Sequence, residues 1–251
     1  MIDPPTETPR DPARAAPYYE SVVQLSQDAI HAYTSHGNPA LFMSVVPHFL
    51  RIASARYSAG APISACRQAL DEAVEHQVRF IVEGRKYQFA GRGGIDNYLE
   101  LYSAAHLVGR SSSLIAALRQ CVYAEPERQT WLPRLIRQFG DVLLGLPVET
   151  DATQQAELAK VDPRIAVLPG LFAAVSHHDV AAATVALESY LVQYWSPPIE
   201  KQAKRDLKSV QPVYCGKWCF LSAAMCRVLG TVPDLSLLAR RYVPVDLLAE
   251  T

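Results

Sequence analysis

The apolar residues of this chain recur at helical spacing, and this periodicity constrains the fold more than any other sequence feature. Leu, Ala and Val return every three or four residues, and no long stretch alternates apolar and polar residues as a half-buried strand would. Gly and Pro interrupt the pattern at intervals of about one helix length. The sequence therefore predicts an all-α fold, a multi-helix array of about nine to ten antiparallel helices with no sheet.

Capping residues and prolines set the expected helix boundaries. Gly60, Gly109 and Gly230 follow apolar runs as C-terminal caps, and Asp179 precedes a run as an N-terminal cap. Pro47 is expected to kink its helix, and the prolines after Ser196 are expected to end theirs. We expect helices over residues 18–34, 39–59, 63–83, 95–108, 114–122, 130–144, 154–160, 164–175, 180–195 and 213–229.

Composition shifts suggest how the chain is organised. Residues 1–16 are polar and Pro-rich, which predicts a mobile N-terminal leader. A polar connection over residues 145–163 separates an N-terminal helical half, 17–146, from a C-terminal helical half, 147–251. We expect the two halves to pack as one unit.

The overall composition narrows the class of protein. Of 251 residues, 49% are apolar, which is enough to bury a sizeable core. The net charge is −1, so a globally basic nucleic-acid binder is not expected. No apolar stretch is long enough to span a membrane, and five cysteines are an odd number for a secreted disulfide framework. We therefore expect a protein of the bacterial cytoplasm that binds neither membrane nor nucleic acid directly.

The charges are unevenly distributed along this nearly neutral chain. Residues 141–200 contain two Lys or Arg and eight Asp or Glu, a net charge of −6. One interpretation is a surface that binds a basic protein partner, and the other is a connection that is merely solvated. The candidate binding residues are Glu149, Asp151, Glu157 and Asp162.

Motifs that carry enzymatic chemistry are not found in the sequence. There is no nucleophile elbow, zinc-protease motif, phosphate-binding loop or dinucleotide-binding fingerprint. Cys215, Cys219 and Cys226 lack paired metal-ligand spacing and are expected to share one buried face of the last helix. His177 and His178 are expected to form a polar turn. We expect no catalytic residue, no metal and no cofactor.

The most specific pattern lies near the C-terminus. Small residues permit close packing around large aromatic anchors, and a later Tyr-x-Pro-x-Asp segment would fold back over the same helix. This pattern predicts a structural core element built from Tyr214, Gly216, Trp218, Phe220, Ala223, Ala224, Tyr242, Pro244 and Asp246.

These residues also resemble the C-terminal half of the PoNe immunity proteins, the PoNi family. That family has a Tyr-x-Gly-x-Trp-x-Phe-x-x-Ala-Ala helix and then a Tyr-x-Pro-x-Asp-Leu tail. The Tyr194-Trp195 pair and residues 57–62 are similar to further family segments, so the likeness covers residues 18–250. One departure is Leu221, where family members usually carry an acidic residue. Another helical immunity family, such as immunity protein 49, is an alternative.

The resemblance implies a non-enzymatic, all-helical protein with one protein partner. Such a protein binds a cognate polymorphic toxin, often a DNase delivered to rival bacteria by a type VI secretion system, and occludes its active site. Two other hypotheses stay open from the residues alone. They are a helical metal- or thiol-dependent enzyme, which would use the histidines and cysteines, and a helical scaffold protein.

Overall fold

The computed structural model of the chain confirms the predicted all-α fold. It describes residues 9–35, 45–82, 92–110, 112, 113, 115, 116, 131–206, 212 and 214–248, and these residues contain no strand. The α-helices are α1 (Ala16–Ser35), α2 (Val46–Ser58), α3 (Ile63–Val82), α4 (Arg92–Leu107), α5 (Trp131–Leu143), α6 (Ala152–Val161), α7 (Pro163–Ala166), α8 (Leu168–Ser176), α9 (Val180–Ser189), α10 (Ser196–Asp206), α11 (Phe220–Leu229) and α12 (Leu237–Arg240). A π-helical segment, Tyr190–Trp195, follows α9, and a 3₁₀ turn spans Val245–Leu248.

Several predicted helix ends are confirmed. The Asp179 side chain accepts a hydrogen bond from the backbone N–H of Ala182 at 3.0 Å and so caps α9. Gly230 follows α11 with a φ of 69°, the left-handed conformation typical of a residue after a helix. Local capping chemistry was therefore a sound guide to these boundaries.

The proline predictions were wrong at two places. Pro47 lies in the first turn of α2, so it does not kink the described helix. Ser196-Pro197-Pro198 does not end the helical run, because α10 begins at Ser196 directly after the π-helical segment and continues through both prolines. The π-helical segment comes directly before it, and the Ser196 N–H donates to the Leu191 carbonyl, five residues earlier.

Three other boundaries differ from the expectation. Helix α4 begins at Arg92 rather than at residue 95, and Val167 separates α7 from α8 where one helix was expected. Helix α11 begins only at Phe220, because the segment 214–219 is extended and packs through specific side-chain contacts. The expected helix over residues 114–122 lies almost entirely outside the described residues.

The chain forms two compact units, and each is discontinuous in sequence. Unit 1 contains residues 1–84 and 198–218, and unit 2 contains residues 85–197 and 219–251. This division differs from the expected halves 17–146 and 147–251. Contacts between segments far apart in the chain define the units, and local composition carries no information about such contacts.

Unit 1 has its core around α1 and α2. Tyr19, Val22, Ala55 and Tyr214 are buried in one cluster, against which Ile199 and other apolar residues pack. Burial of each large apolar side chain contributes about 1.5–3 kcal/mol. The segment 198–218 therefore completes the apolar core of the first helices of the chain.

Residues 9–15, which precede α1 and belong to the expected leader over residues 1–16, make defined contacts with the rest of unit 1. Asp11 is buried and accepts a hydrogen bond from the Tyr214 hydroxyl at 2.7 Å. The Arg10 guanidinium lies 4.8 Å from the centre of the Tyr57 ring and donates to the Ala61 carbonyl at 2.9 Å. Two polar anchors thus fix a segment whose composition alone indicates a loop. Residues 1–8 lie outside the described residues.

Unit 2 is centred on aromatic side chains from α4, α5 and α8. The Phe139 ring stacks on Phe172 with 4.9 Å between ring centroids, and Tyr102 lies 5.9 Å from Phe139. All three side chains are fully or almost fully buried. Helix α11 packs against the same helices.

None of the described helices is both long and apolar enough to cross a membrane.

Candidate protein-interaction surface

The structure gives the four acidic candidates different roles. Asp151 caps α6, since its Oδ1 accepts a hydrogen bond from the backbone N–H of Thr153 at 2.8 Å. Its other oxygen, Oδ2, lies 2.8 Å from Arg134 Nη1. The hydrogen bond from Arg134 is the main reason that the pKa of Asp151 lies below its usual value. Asp151 is therefore already paired, although it is partly exposed.

Asp162 is buried and serves the local fold. Its carboxylate accepts a hydrogen bond from the backbone N–H of Arg164 at 3.0 Å and so caps α7. It also binds the Arg164 guanidinium through Nε at 3.0 Å and Nη2 at 2.8 Å. A bidentate pair of this kind fixes geometry as well as charge. In this conformation Asp162 is not accessible to a protein partner.

Glu149 and Glu157 are the two candidates that face solvent. The Glu149 side chain is 88% exposed, and its Oε1 lies 3.8 Å from His177 Nε2. The Glu157 side chain is 52% exposed, and its Oε1 lies 2.7 Å from Lys160 Nζ. Exposed side-chain contacts of this kind contribute little stability, so these carboxylates are available to other charges.

The first part of the C-terminal motif belongs to unit 1 and is held by α2. Trp218 is buried, and its indole Nε1 donates a hydrogen bond to Ser58 Oγ at 2.8 Å. Ser58 Oγ in turn donates to the Cys215 carbonyl at 3.2 Å. The Tyr57 ring meets Trp218 edge-on, with 4.7 Å between centroids. Ser58 is thus the link between α2 and the extended segment.

Gly216 is required by this close packing. Its φ is +126°, a conformation that side-chain-bearing residues rarely adopt. A Cβ at this position would lie only 2.1 Å from Ser58 Oγ. The backbone conformation and the close contact with Ser58 therefore explain why the Tyr-x-Gly-x-Trp pattern has glycine at this position.

The second part of the motif belongs to unit 2. Phe220, Ala223, Ala224 and Tyr242 are buried, and the backbone N–H of Cys219 donates to the Tyr242 carbonyl at 2.9 Å. The C-terminal segment thus returns to the start of α11, as its sequence suggested. Pro244 is buried and its carbonyl accepts a hydrogen bond from the Leu247 N–H at 3.1 Å, whereas Asp246 is exposed.

Sequence reasoning missed Glu100, which lies at the N-terminus of α11. The backbone N–H of Phe220 donates to Glu100 Oε2 at 3.3 Å, so a residue of α4 caps a helix 120 positions away. Burial raises the pKa of the Glu100 carboxyl to about 8, against the lowering effect of the backbone N–H donors. The sequence feature that could have indicated a buried role for Glu100 is an acidic residue within the apolar run of α4.

The cysteines are packed residues in the described parts of the chain. Cys66, Cys219 and Cys226 are buried and Cys215 is partly buried, and all four are free thiols. The expected shared helix face is wrong, because Cys215 and Cys219 precede the first residue of α11. Burial raises the pKa of the Cys226 thiol to about 12. Cys121 lies outside the described residues.

Metal-ligating side chains do not converge in the described part of the chain. Within it, no three His, Cys, Asp or Glu side chains lie close enough together to hold a metal ion. His177 and His178 lie in an exposed turn between α8 and α9.

The fold and the surface together define an all-α protein of two compact units, and an acidic segment of unit 2 exposes Glu149 and Glu157. No family model, no curated protein and no solved structure matches this chain.

Proposed function

We propose that this protein is an immunity protein that binds and neutralises a basic antibacterial toxin. The partner would be the nuclease domain of a polymorphic toxin, such as a DNase effector of a type VI secretion system. The resemblance of the C-terminal motif to the PoNe immunity proteins supports the proposal. The observation that carries it is the exposure of Glu149 and Glu157 in a segment of net charge −6.

Charge complementarity explains how such a protein would inhibit. A nuclease binds phosphates with clustered Lys and Arg side chains, and an acidic protein surface can occupy the same groove. The two cations of residues 141–200 are already paired, Lys160 with Glu157 and Arg164 with Asp162. The segment therefore has little positive charge to repel a basic partner. Electrostatic attraction would speed association before the toxin reaches cellular DNA.

Co-purification with a defined partner tests the proposal. The partner is the C-terminal domain of the protein encoded by the adjacent upstream reading frame. We expect the tagged immunity protein to retain this domain on a column and to abolish its cleavage of plasmid DNA at equimolar ratio. An unrelated nuclease domain is the control and should stay active.

Two results would contradict the proposal. If the adjacent domain does not bind, the pairing is wrong. If it binds but cuts DNA at an unchanged rate, the protein is a scaffold for that domain rather than its inhibitor.

A further inference from the structure

Two helix ends in unit 2 lie side by side. Phe139 of α5 stacks on Phe172 of α8, and each ring lies one helical turn before the end of its helix. The C-terminal ends of the two helices therefore lie near each other in unit 2. The loops that follow are residues 144–151 and 177–180.

Both helices end in the same way. Gly145 and His178 have positive φ values of 71° and 54°. The backbone N–H of Leu146 donates to the Asp141 carbonyl at 2.8 Å, and that of Asp179 donates to the Ala174 carbonyl at 2.9 Å. These are the hydrogen bonds of the Schellman motif, which fixes the direction of the chain after a helix. Both loops are thus held by defined turns.

Direct contacts join the two loops. The backbone N–H of Val148 donates to Ser176 Oγ at 3.0 Å, at the last residue of α8. Glu149 Oε1 lies 3.8 Å from His177 Nε2, across the same pair of loops. The loops therefore form one continuous surface.

This surface exposes apolar side chains that the fold leaves uncovered. Leu144 is 36% exposed, Leu146 42% and Val180 41%. Pro147 is exposed beside them. Single exposed apolar residues are common, but a group on adjoining loops indicates an interaction surface.

Apart from His177 and His178, the ionisable side chains of the two loops are all acidic. Glu149 and Asp179 are exposed, and neither loop contains a Lys or Arg. Arg134 of α5 is bound to Asp151 of the first loop. A partner that covers the leucines must therefore present positive charge to the rim.

We propose that Leu144, Leu146 and Val180, rimmed by Glu149 and Asp179, form the docking surface for a basic protein. The apolar centre would supply the buried contact and the carboxylates would select a cationic partner. This inference rests on the proposed function and names the part of the acidic segment that makes the contact. It adds the loop at residues 177–180, which lies outside the four acidic candidates, and it excludes the buried Asp162.

Separate substitutions test the centre and the rim against the adjacent-frame toxin domain. We expect Leu146→Ser to raise Kd about tenfold, chiefly through faster dissociation, because an anchor is lost from the centre. We expect Glu149→Lys to slow association several-fold and to weaken its salt dependence, since rim charges act on encounter. Surface plasmon resonance at several salt concentrations measures both effects.

A matched double variant elsewhere on unit 2 is the control. Leu237 and Asp234 are exposed, and Ser236 between them contacts Glu188, near the opposite end of α9 from Val180. Leu237→Ser/Asp234→Lys thus makes the same leucine change and the same charge reversal as Leu146→Ser/Glu149→Lys at a distant place. We expect the control to bind as the unaltered protein does. Circular dichroism should show unchanged helix content in both.

The outcomes separate the docking surface from the proposed function. If the unaltered protein binds the domain and both double variants bind equally well, the docking surface is wrong and the proposed function stands. If the control loses as much affinity as the test variant, non-specific charge explains binding and the docking surface is again wrong. If the unaltered protein does not bind the domain, the proposed function and the docking surface both fail.

Discussion

Replacing Gly216 by Ala should destabilise unit 1 for two separable reasons. The first is backbone strain at a φ of +126°, which costs about 1–3 kcal/mol for a residue with a Cβ. The second is overlap, since the new Cβ would lie 2.1 Å from Ser58 Oγ. Forcing a buried neighbour to move costs about 1–3 kcal/mol more. We expect a total loss of about 2–6 kcal/mol in the free energy of unfolding.

A double-mutant cycle with Ser58→Ala separates the two terms. Ser58→Ala alone removes the acceptor of the Trp218 indole N–H, which should cost about 1–3 kcal/mol. It also removes the oxygen that Gly216→Ala would strike. The double variant should therefore lose about 1–3 kcal/mol less than the sum of the two single variants. The backbone strain of alanine at position 216 is the same with and without the Ser58 hydroxyl.

Gly230→Ala is the matched control for backbone strain without overlap. Gly230 has a φ of 69°, and nothing lies within 4 Å of a Cβ built there. We expect it to cost about 1–2 kcal/mol. Urea unfolding followed by circular dichroism measures all four variants against the unaltered chain.

Two results would refute this reasoning. One is a Gly216→Ala variant that is no less stable than Gly230→Ala. The other is an equal cost of Gly216→Ala with and without the Ser58 hydroxyl, which would mean that the overlap does not occur.

Three further predictions concern other parts of the chain. Because the pKa of Glu100 is raised to about 8, its contribution to stability is full below the usual carboxyl pKa and is lost as pH rises through about 8. Glu100→Gln should abolish this loss. Between pH 5 and pH 9, the free energy of unfolding obtained from thermal melts should then fall by about 2–4 kcal/mol less than in the unaltered protein. An equal fall in both proteins would contradict the burial of the carboxyl. Trp218→Ala should cost about 3–5 kcal/mol, and an unchanged melting temperature would show that the indole is not a core anchor. His178→Gly should raise the free energy of unfolding by about 0.5–1 kcal/mol, because the His178 backbone is left-handed. A lower free energy of unfolding would show that the imidazole makes a stabilising contact.

Local chemistry in the sequence predicted the helices well. The Asp179 cap and the Gly230 end depend on residues within one turn of each other, so a single stretch of sequence contains the whole signal. The buried roles of Asp11 and Glu100 depend on partners 203 and 120 positions away. Nothing near either residue indicates such a partner, and so the first was interpreted as part of a leader and the second was overlooked.

The acidic segment shows the same limit within the candidate surface. Composition identified the excess of negative charge over residues 141–200, but it treated each carboxylate alike. The structure separates Asp162, which is buried against Arg164, from Glu149, which faces solvent. The exposed Leu146 is uncharged, so a selection based on charge does not include it. The role that we propose for it depends on the neighbouring ends of α5 and α8.

The discontinuity of unit 1 has a consequence for how the protein is made. The ribosome delivers residues 1–84 first, and the segment 198–218 that completes their core follows after about 110 further residues. At about 5–20 residues per second, the first helices wait roughly 6–26 seconds for Tyr214 to reach Tyr19 and Val22. During that interval their apolar faces are available to chaperones and proteases. A prematurely terminated chain never receives the closing segment, so quality control in the cell has a ready means of removing it.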